Sequence, residues 1–183
     1  MKKITVITAI IISLSGCHSE KDQHFKQVLK DNLEAMRTVQ YTFNERNIPL
    51  KIILDQSRID KYGIDKSQFT LIDSMTEVLD QKLTHQTNKL IIEKENTTDK
   101  VFYEATIEYL KFIRDLENDI TPFLKSIEDT IIENEEELSI PVREKALRIN
   151  TEMSNWRRVE QDFYDKYDIK QKMVDSLENT FKR

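Results

Sequence analysis

The segment from Pro141 to Lys182 reads PVREKALRINTEMSNWRRVEQDFYDKYDIKQKMVDSLENTFK, and its apolar residues decide the fold. Ala146, Ile149, Met153, Trp156, Phe163, Tyr167, Val174, Leu177 and Phe181 fall on an alternating three-four spacing, broken at Glu160 and Lys170. Residues three and four apart stack on one side of an α-helix, so this is the period of a single buried face. No Gly or Pro follows Pro141 in the segment. The spacing predicts one last helix, opened by Ile140-Pro141, of about 40 residues and roughly 60 Å. A seam of that length packs at a shallow, left-handed angle against equally long neighbours.

Outward from that segment, the chain divides at its breakers. Ser19-Glu20-Lys21-Asp22 has the spacing of a capping box. Phe25, Leu29, Leu33, Met36, Val39 and Phe43 then carry a helix to about Asn47. Proline disfavours a helical conformation in the residue before it, so Ile48-Pro49 reads as a stop. A short helix from Pro49 to near Gly63 follows, begun by the proline and ended by the glycine. A long second element starts at Asp65, with Gln68 in the capping position, and reaches about Asn96. Its seam is Phe69, Ile72, Leu79, Leu83 and Leu90, interrupted by Thr76 and Gln86.

Asn96-Thr97-Thr98-Asp99 is a polar break and a fresh N-cap. Phe102, Ala105, Tyr109, Phe112, Leu116, Ile120, Phe123, Ile127 and Ile131 form the next stripe, with Pro122 inside it. An interior proline removes one backbone hydrogen bond and crowds the carbonyl four residues earlier. A kink, or a restart at Thr121, is expected there; the stripe keeps its phase across the proline, which favours the kink. Asn134 to Ser139 reads as a loop.

Composition agrees with helices. The 183 residues include only 2 Gly and 3 Pro, and 33% are charged, which leaves little turn chemistry for a sheet. The expected fold is all-α: an elongated antiparallel bundle of three to four long helices with coiled-coil-like seams. A strictly dimeric coiled coil is the runner-up, because three long seams within one chain satisfy one another.

The first residues carry a different signal. Lys2 and Lys3 precede an uncharged, largely apolar stretch from Ile4 to Leu14, which is the pattern of a secretory signal. At about 11 residues it is well short of the roughly 20 that a helix needs to span the hydrocarbon core. It ends on Leu14-Ser15-Gly16-Cys17, which resembles the lipobox of bacterial lipoproteins. That resemblance covers residues 1–17 only. It implies cleavage between Gly16 and Cys17, a diacylglyceryl thioether on Cys17, and usually acylation of the new amino terminus. Residues 1–16 are then a removed signal, 17–24 a lipidated N-terminus with a short tether, and 25–183 a single helical domain. In enteric-type cells, an aspartate after the lipidated cysteine tends to retain a lipoprotein in the inner membrane. His18 stands there instead, so the resemblance implies the outer membrane, periplasmic face; in a Gram-positive host the anchor is the plasma membrane.

Lipidation also accounts for the lone cysteine, and it leaves the exported part with no thiol for a disulfide, a nucleophile or a thiolate metal site. Without Lys2 and Lys3 the charge balance is 26 − 33 = −7. That argues against a nucleic-acid or anionic-membrane surface, both of which call for basic stripes.

No catalytic constellation stands out. His18 and His24 lie in or beside the expected tether, and His85 falls on the polar side of a helix, without histidine or carboxylate at zinc or di-iron spacing. Gly-rich phosphate loops and nucleophile elbows need glycines the chain lacks. The acidic run Glu133-Asn134-Glu135-Glu136-Glu137 lacks the Asp/Asn/Gly alternation of calcium loops and reads as a solvated helix end. Metals and cofactors are therefore not expected. Trp156-Arg157-Arg158 has interface composition, although Trp156 sits on the apolar seam.

The reading is a non-enzymatic, lipid-anchored envelope protein that binds an envelope partner, or acts as a spacer, through a long helical surface. Arg157, Arg158, Asp162 and Lys166 are the candidate partner surface. The alternative is a binder of an apolar small molecule or lipid within the bundle, with Thr76, Gln86, Glu160 and Lys170 lining a cavity or merely setting register.

Overall fold

A computed structural model of the chain describes the backbone of residues 2–59, 65–129 and 135–181; the side chains of 1–22, 55–64, 66, 130–136, 138 and 182–183 lie outside the description. Among the described residues there are five helices and no strand. They are α1 (Lys2–Ile59), α2 (Lys66–Glu95), α3 (Lys100–Glu128), α4 (Glu135–Tyr167) and α5 (Gln171–Glu178).

Side-chain contacts between helices fix their directions. Lys82 donates to Thr42 and Lys89 to Glu34, so α2 descends where α1 ascends. Lys94 pairs with Glu104 and Arg114 with Asp80, which turns α3 back against α2. Lys145 pairs with Asp119 and Lys166 with Asp99, which does the same for α4 against α3. The chain is an up-down-up-down helical bundle, the all-α class its periodicities imply. The 30 residues of α2 give the bundle a length of about 45 Å.

The seams meet in one core. Phe25, Leu29, Leu33, Met36, Val39 and Phe43 of α1 are buried against Phe69, Ile72, Leu79, Leu83 and Leu90 of α2 and the stripe of α3. Trp156, Phe163 and Val174 close it from the last segment. Phe102 lies with its ring centroid 5.0 Å from Phe163 and 5.9 Å from Trp156. Such tilted pairs add to simple area burial. The cap at Asp65 forms as read, its carboxylate accepting from the Ser67 N–H at 2.9 Å.

The boundaries differ from the sequence reading in four places. First, α1 does not stop at Ile48-Pro49 but runs unbroken to Ile59. Beyond the proline, Leu50 and Ile53 are buried in the same seam. Each contributes about 1.5–3 kcal/mol, which offsets the roughly 3 kcal/mol that an interior proline costs. The expected stop at Gly63 lies outside the described residues. Second, His24, in or beside the expected tether, is part of α1 and packs onto the α2–α3 connection.

Third, α4 begins at Glu135, so Glu135–Ser139 are helical where a loop was expected and Pro141 is interior. Asn134 and Ile131 lie outside the described residues. Fourth, the last segment is two helices. Asp168 takes a left-handed φ of 48°, Ile169 N–H donates to Tyr164 C=O at 2.9 Å, and Asp168 N–H reaches Asp165 C=O at 3.5 Å. That pairing is a Schellman stop, built on aspartate, one of the few non-glycine residues that tolerate this conformation. Ala146, expected on the seam, is exposed. As read, α3 passes through Pro122 without ending.

Candidate functional site

Polar residues interrupt the core at three levels. The deepest lies between α1, α3 and α4, where Thr106 Oγ1 donates to Asn32 Oδ1 at 2.6 Å and accepts from the Trp156 indole at 2.9 Å. Beside it, Asp31 is fully buried and accepts from Tyr103 at 3.1 Å and from Gln27 at 3.0 Å, while Lys89 pairs with it at 3.0 Å. Burial, with Asp31 alongside, pushes the Tyr103 phenol well up, so it stays a donor. Burial works to lower the Lys89 ammonium, but its bonds to Glu34 and Asp31 prevail and hold it above its ordinary value.

The second level is Asp99, at the head of α3. As an N-cap it makes no side-chain cap bond; Thr97 Oγ1 accepts from its N–H instead, at 3.0 Å. The freed carboxylate accepts from Lys166 and Tyr167 at the foot of α4, and His24 of α1 lies 3.4 Å away. Burial raises the Asp99 carboxyl, but these hydrogen bonds and cations overcome it and hold it below the usual range. One carboxylate thus ties together three helices at the end of the bundle nearest the N-terminus.

The third level is an ion pair between Arg46 and Glu117, both buried. Burial lowers the guanidinium to about 10, so Arg46 remains charged at neutral pH. Its plane also lies over Phe43, 5.5 Å from the ring centroid.

Outside the core, the surface between α3 and α4 carries a groove of two adjoining clefts that share Val159. Its wider part, about 260 Å³, is lined by Ala105, Glu108, Tyr109, Glu152, Asn155, Trp156, Arg158 and Val159. Val159 leads into a second part of about 190 Å³, with Val101, Phe102, Asp162, Phe163 and Lys166. Trp156, Phe102 and Phe163 lie beneath it almost fully buried, and charged side chains stand along its sides. Val101 is 67% exposed at its mouth.

The structure divides the four candidate surface residues. Arg158, Asp162 and Lys166 lie along the groove. Arg157 does not. It is nine residues from Lys166, which at about 100° per residue places it on the opposite side of α4. There it acts on Tyr109 and Glu160, beside Arg37 and Glu178. Lys166 is committed to Asp99, while among the described residues Arg158 and Asp162 make no ion pair. His85 is exposed on α2. The side chains of Gly16 and Cys17 fall outside the described residues.

Apolar periodicity alone does not reveal the polar levels. Continuing the α1 spacing from Phe43 lands on Arg46 and then Leu50, and the α3 spacing Leu110-Ile113 lands on Glu117. Charged residues in phase with a seam were the available signal. Of the marked seam breaks, Gln86 is buried, and Glu160 accepts from Tyr164 at 2.6 Å with burial raising its carboxyl.

No family model, curated protein or solved structure matches this chain.

Proposed function

We propose that this protein is a lipid-anchored component of the cell envelope, without enzymatic activity, that receives an amphipathic helix of an envelope partner in the α3–α4 groove. The observation that carries the reading is the groove itself. Between the antiparallel α3 and α4, partly exposed Ala105 and Val159 and the open Val101 lie over buried Trp156 and Phe102, between charged rims. A third helix lays its apolar face into such a cleft, through anchors at three- and four-residue steps. Unpaired Arg158 calls for an acid on the occupant, and Glu108 and Asp162 for bases. Arg158 is exposed on the rim, and arginine is among the residues that most often dominate binding at interfaces.

The anchor rests on Leu14-Ser15-Gly16-Cys17 and the two lysines before it. The partner is then an envelope protein, on the periplasmic face of the outer membrane in an enteric-type host. Nucleic acid fits poorly, since the exported part is acidic. The other reading, an apolar small molecule or lipid within the bundle, has less support, because Trp156, Phe102 and Phe163 fill the interior beside the groove.

A photo-crosslinking residue placed at Asn155 or Asp162 in intact cells should give the same adduct, and one at Asp73 on α2 should not. Val159→Glu should remove the adduct without lowering helicity. Adducts that are equal from Asp73 and from the groove, or indifferent to Val159→Glu, would overturn the groove assignment.

A further inference from the structure

A basic and apolar patch lies at the anchored end of the bundle. After the left-handed turn at Asp168, α5 runs back beside α1, with Arg37 bonded to Glu178 at its far end. This places Lys26 of α1 together with Lys170, Lys172, Met173, Ser176 and Leu177 around an open concavity of about 530 Å³. Among the described residues none of the three lysines has a carboxylate within ion-pair distance. The three lysines share this concavity with Met173 and Leu177, which are only partly buried. Three free cations beside an apolar centre are the composition of a surface that meets anionic headgroups and the edge of the acyl region.

Its position names the occupant. Cys17 precedes Lys26 by nine residues of the same helix, about 13 Å of rise. A tilt of the bundle toward α5 brings the lysines within a Debye length, about 8 Å, of the headgroups. Net acidity of the exported chain does not oppose this, because screening limits the interaction to local charges. We infer that Lys26, Lys170 and Lys172, with Met173 and Leu177, seat the anchored end of the bundle on anionic phospholipid. This rests on lipidation at Cys17, which confines the patch near the bilayer and makes a weak contact effective. Seating fixes the tilt of the rod, and with it the direction in which the α3–α4 groove faces.

The test uses the mature lipoprotein, carrying Ser176→Cys as its one free thiol and an environment-sensitive fluorophore there. It is reconstituted into vesicles of phosphatidylcholine alone or with phosphatidylglycerol. The fluorophore should be shielded from aqueous quencher severalfold more in the phosphatidylglycerol vesicles. High salt, or the triple change Lys26→Glu, Lys170→Glu and Lys172→Glu, should abolish the difference while helicity is kept. Equal quenching in both vesicles, with the protein stably incorporated and its acyl mass present, would overturn the seating but not the anchor. Absence of acyl mass and of salt-resistant incorporation would instead overturn the anchor.

Discussion

The indole N–H of Trp156 donates to Thr106 Oγ1 at 2.9 Å, and Thr106 passes the connection on to Asn32 of α1 at 2.6 Å. Three helices are thereby registered by one buried hydroxyl. Thr106→Val keeps the shape but leaves both the indole N–H and the Asn32 carbonyl without that partner. Buried polar groups stranded in this way cost about 1–3 kcal/mol. Chemical denaturation should show a lowered midpoint with an unchanged slope, and Thr106→Ser should recover most of it.

Arg46 and Glu117 form the only charged pair buried on both sides among the described residues. Removing one partner strands a charge in the core, so Arg46→Met or Glu117→Leu alone should destabilise the bundle by about 3–5 kcal/mol. The double change Arg46→Met with Glu117→Leu should be far milder than the sum, because the pair's desolvation cost disappears with the pair. A double-mutant cycle of denaturant midpoints checks it; additive losses would deny the coupling.

Asp99 should make stability acid-sensitive. Its folded carboxyl titrates below the unfolded value of about 4, since the hydrogen bonds from Lys166 and Tyr167 outweigh burial. Between those two values the unfolded chain holds a proton that the folded chain lacks. The stabilisation is therefore complete above the ordinary carboxylate range and is lost as pH falls from there through the lower folded value. Thermal unfolding from neutral pH to pH 3 should show a shallower decline for Asp99→Asn than for the parent.

The fold was legible where one seam could be followed through apolar residues. Leu79, Leu83 and Leu90 are all buried as their period implies, and the α2 start at Asp65 shows in its cap. Local rules failed where packing overrode them. Pro49 should end a helix, yet buried Leu50 and Ile53 continue it. The break at Asp168 carries no glycine, so only Lys170, out of place in the seam, marked it. The groove was half legible: Arg158, Asp162 and Lys166 were picked as surface, but which side of α4 meets α3 depends on tertiary placement. That is also why Arg157 was grouped with them.

At the anchor, Cys17→Ala should abolish acyl labelling and leave an uncleaved or mis-processed precursor. Labelled palmitate is the check. Incorporation by the substituted chain would refute the lipobox reading.

The opposed faces of Arg157 and Lys166 separate the groove from a general effect of surface charge. Arg158→Glu and Asp162→Lys alter the rim that would meet a partner helix, whereas Arg157→Glu alters the far side, next to Glu160. Arg157, Arg158 and Asp162 are exposed, so each change should shift stability by about 0.5 kcal/mol or less. Partner crosslinking should fall with the first two and persist with the third. Lys166→Glu is a poor probe, because it also removes a ligand of Asp99 and so mixes binding with stability. His85→Ala, on the exposed face of α2, should leave crosslinking unchanged. Loss of function with His85→Ala, while the rim changes are silent, would move the search to α2 and away from the groove.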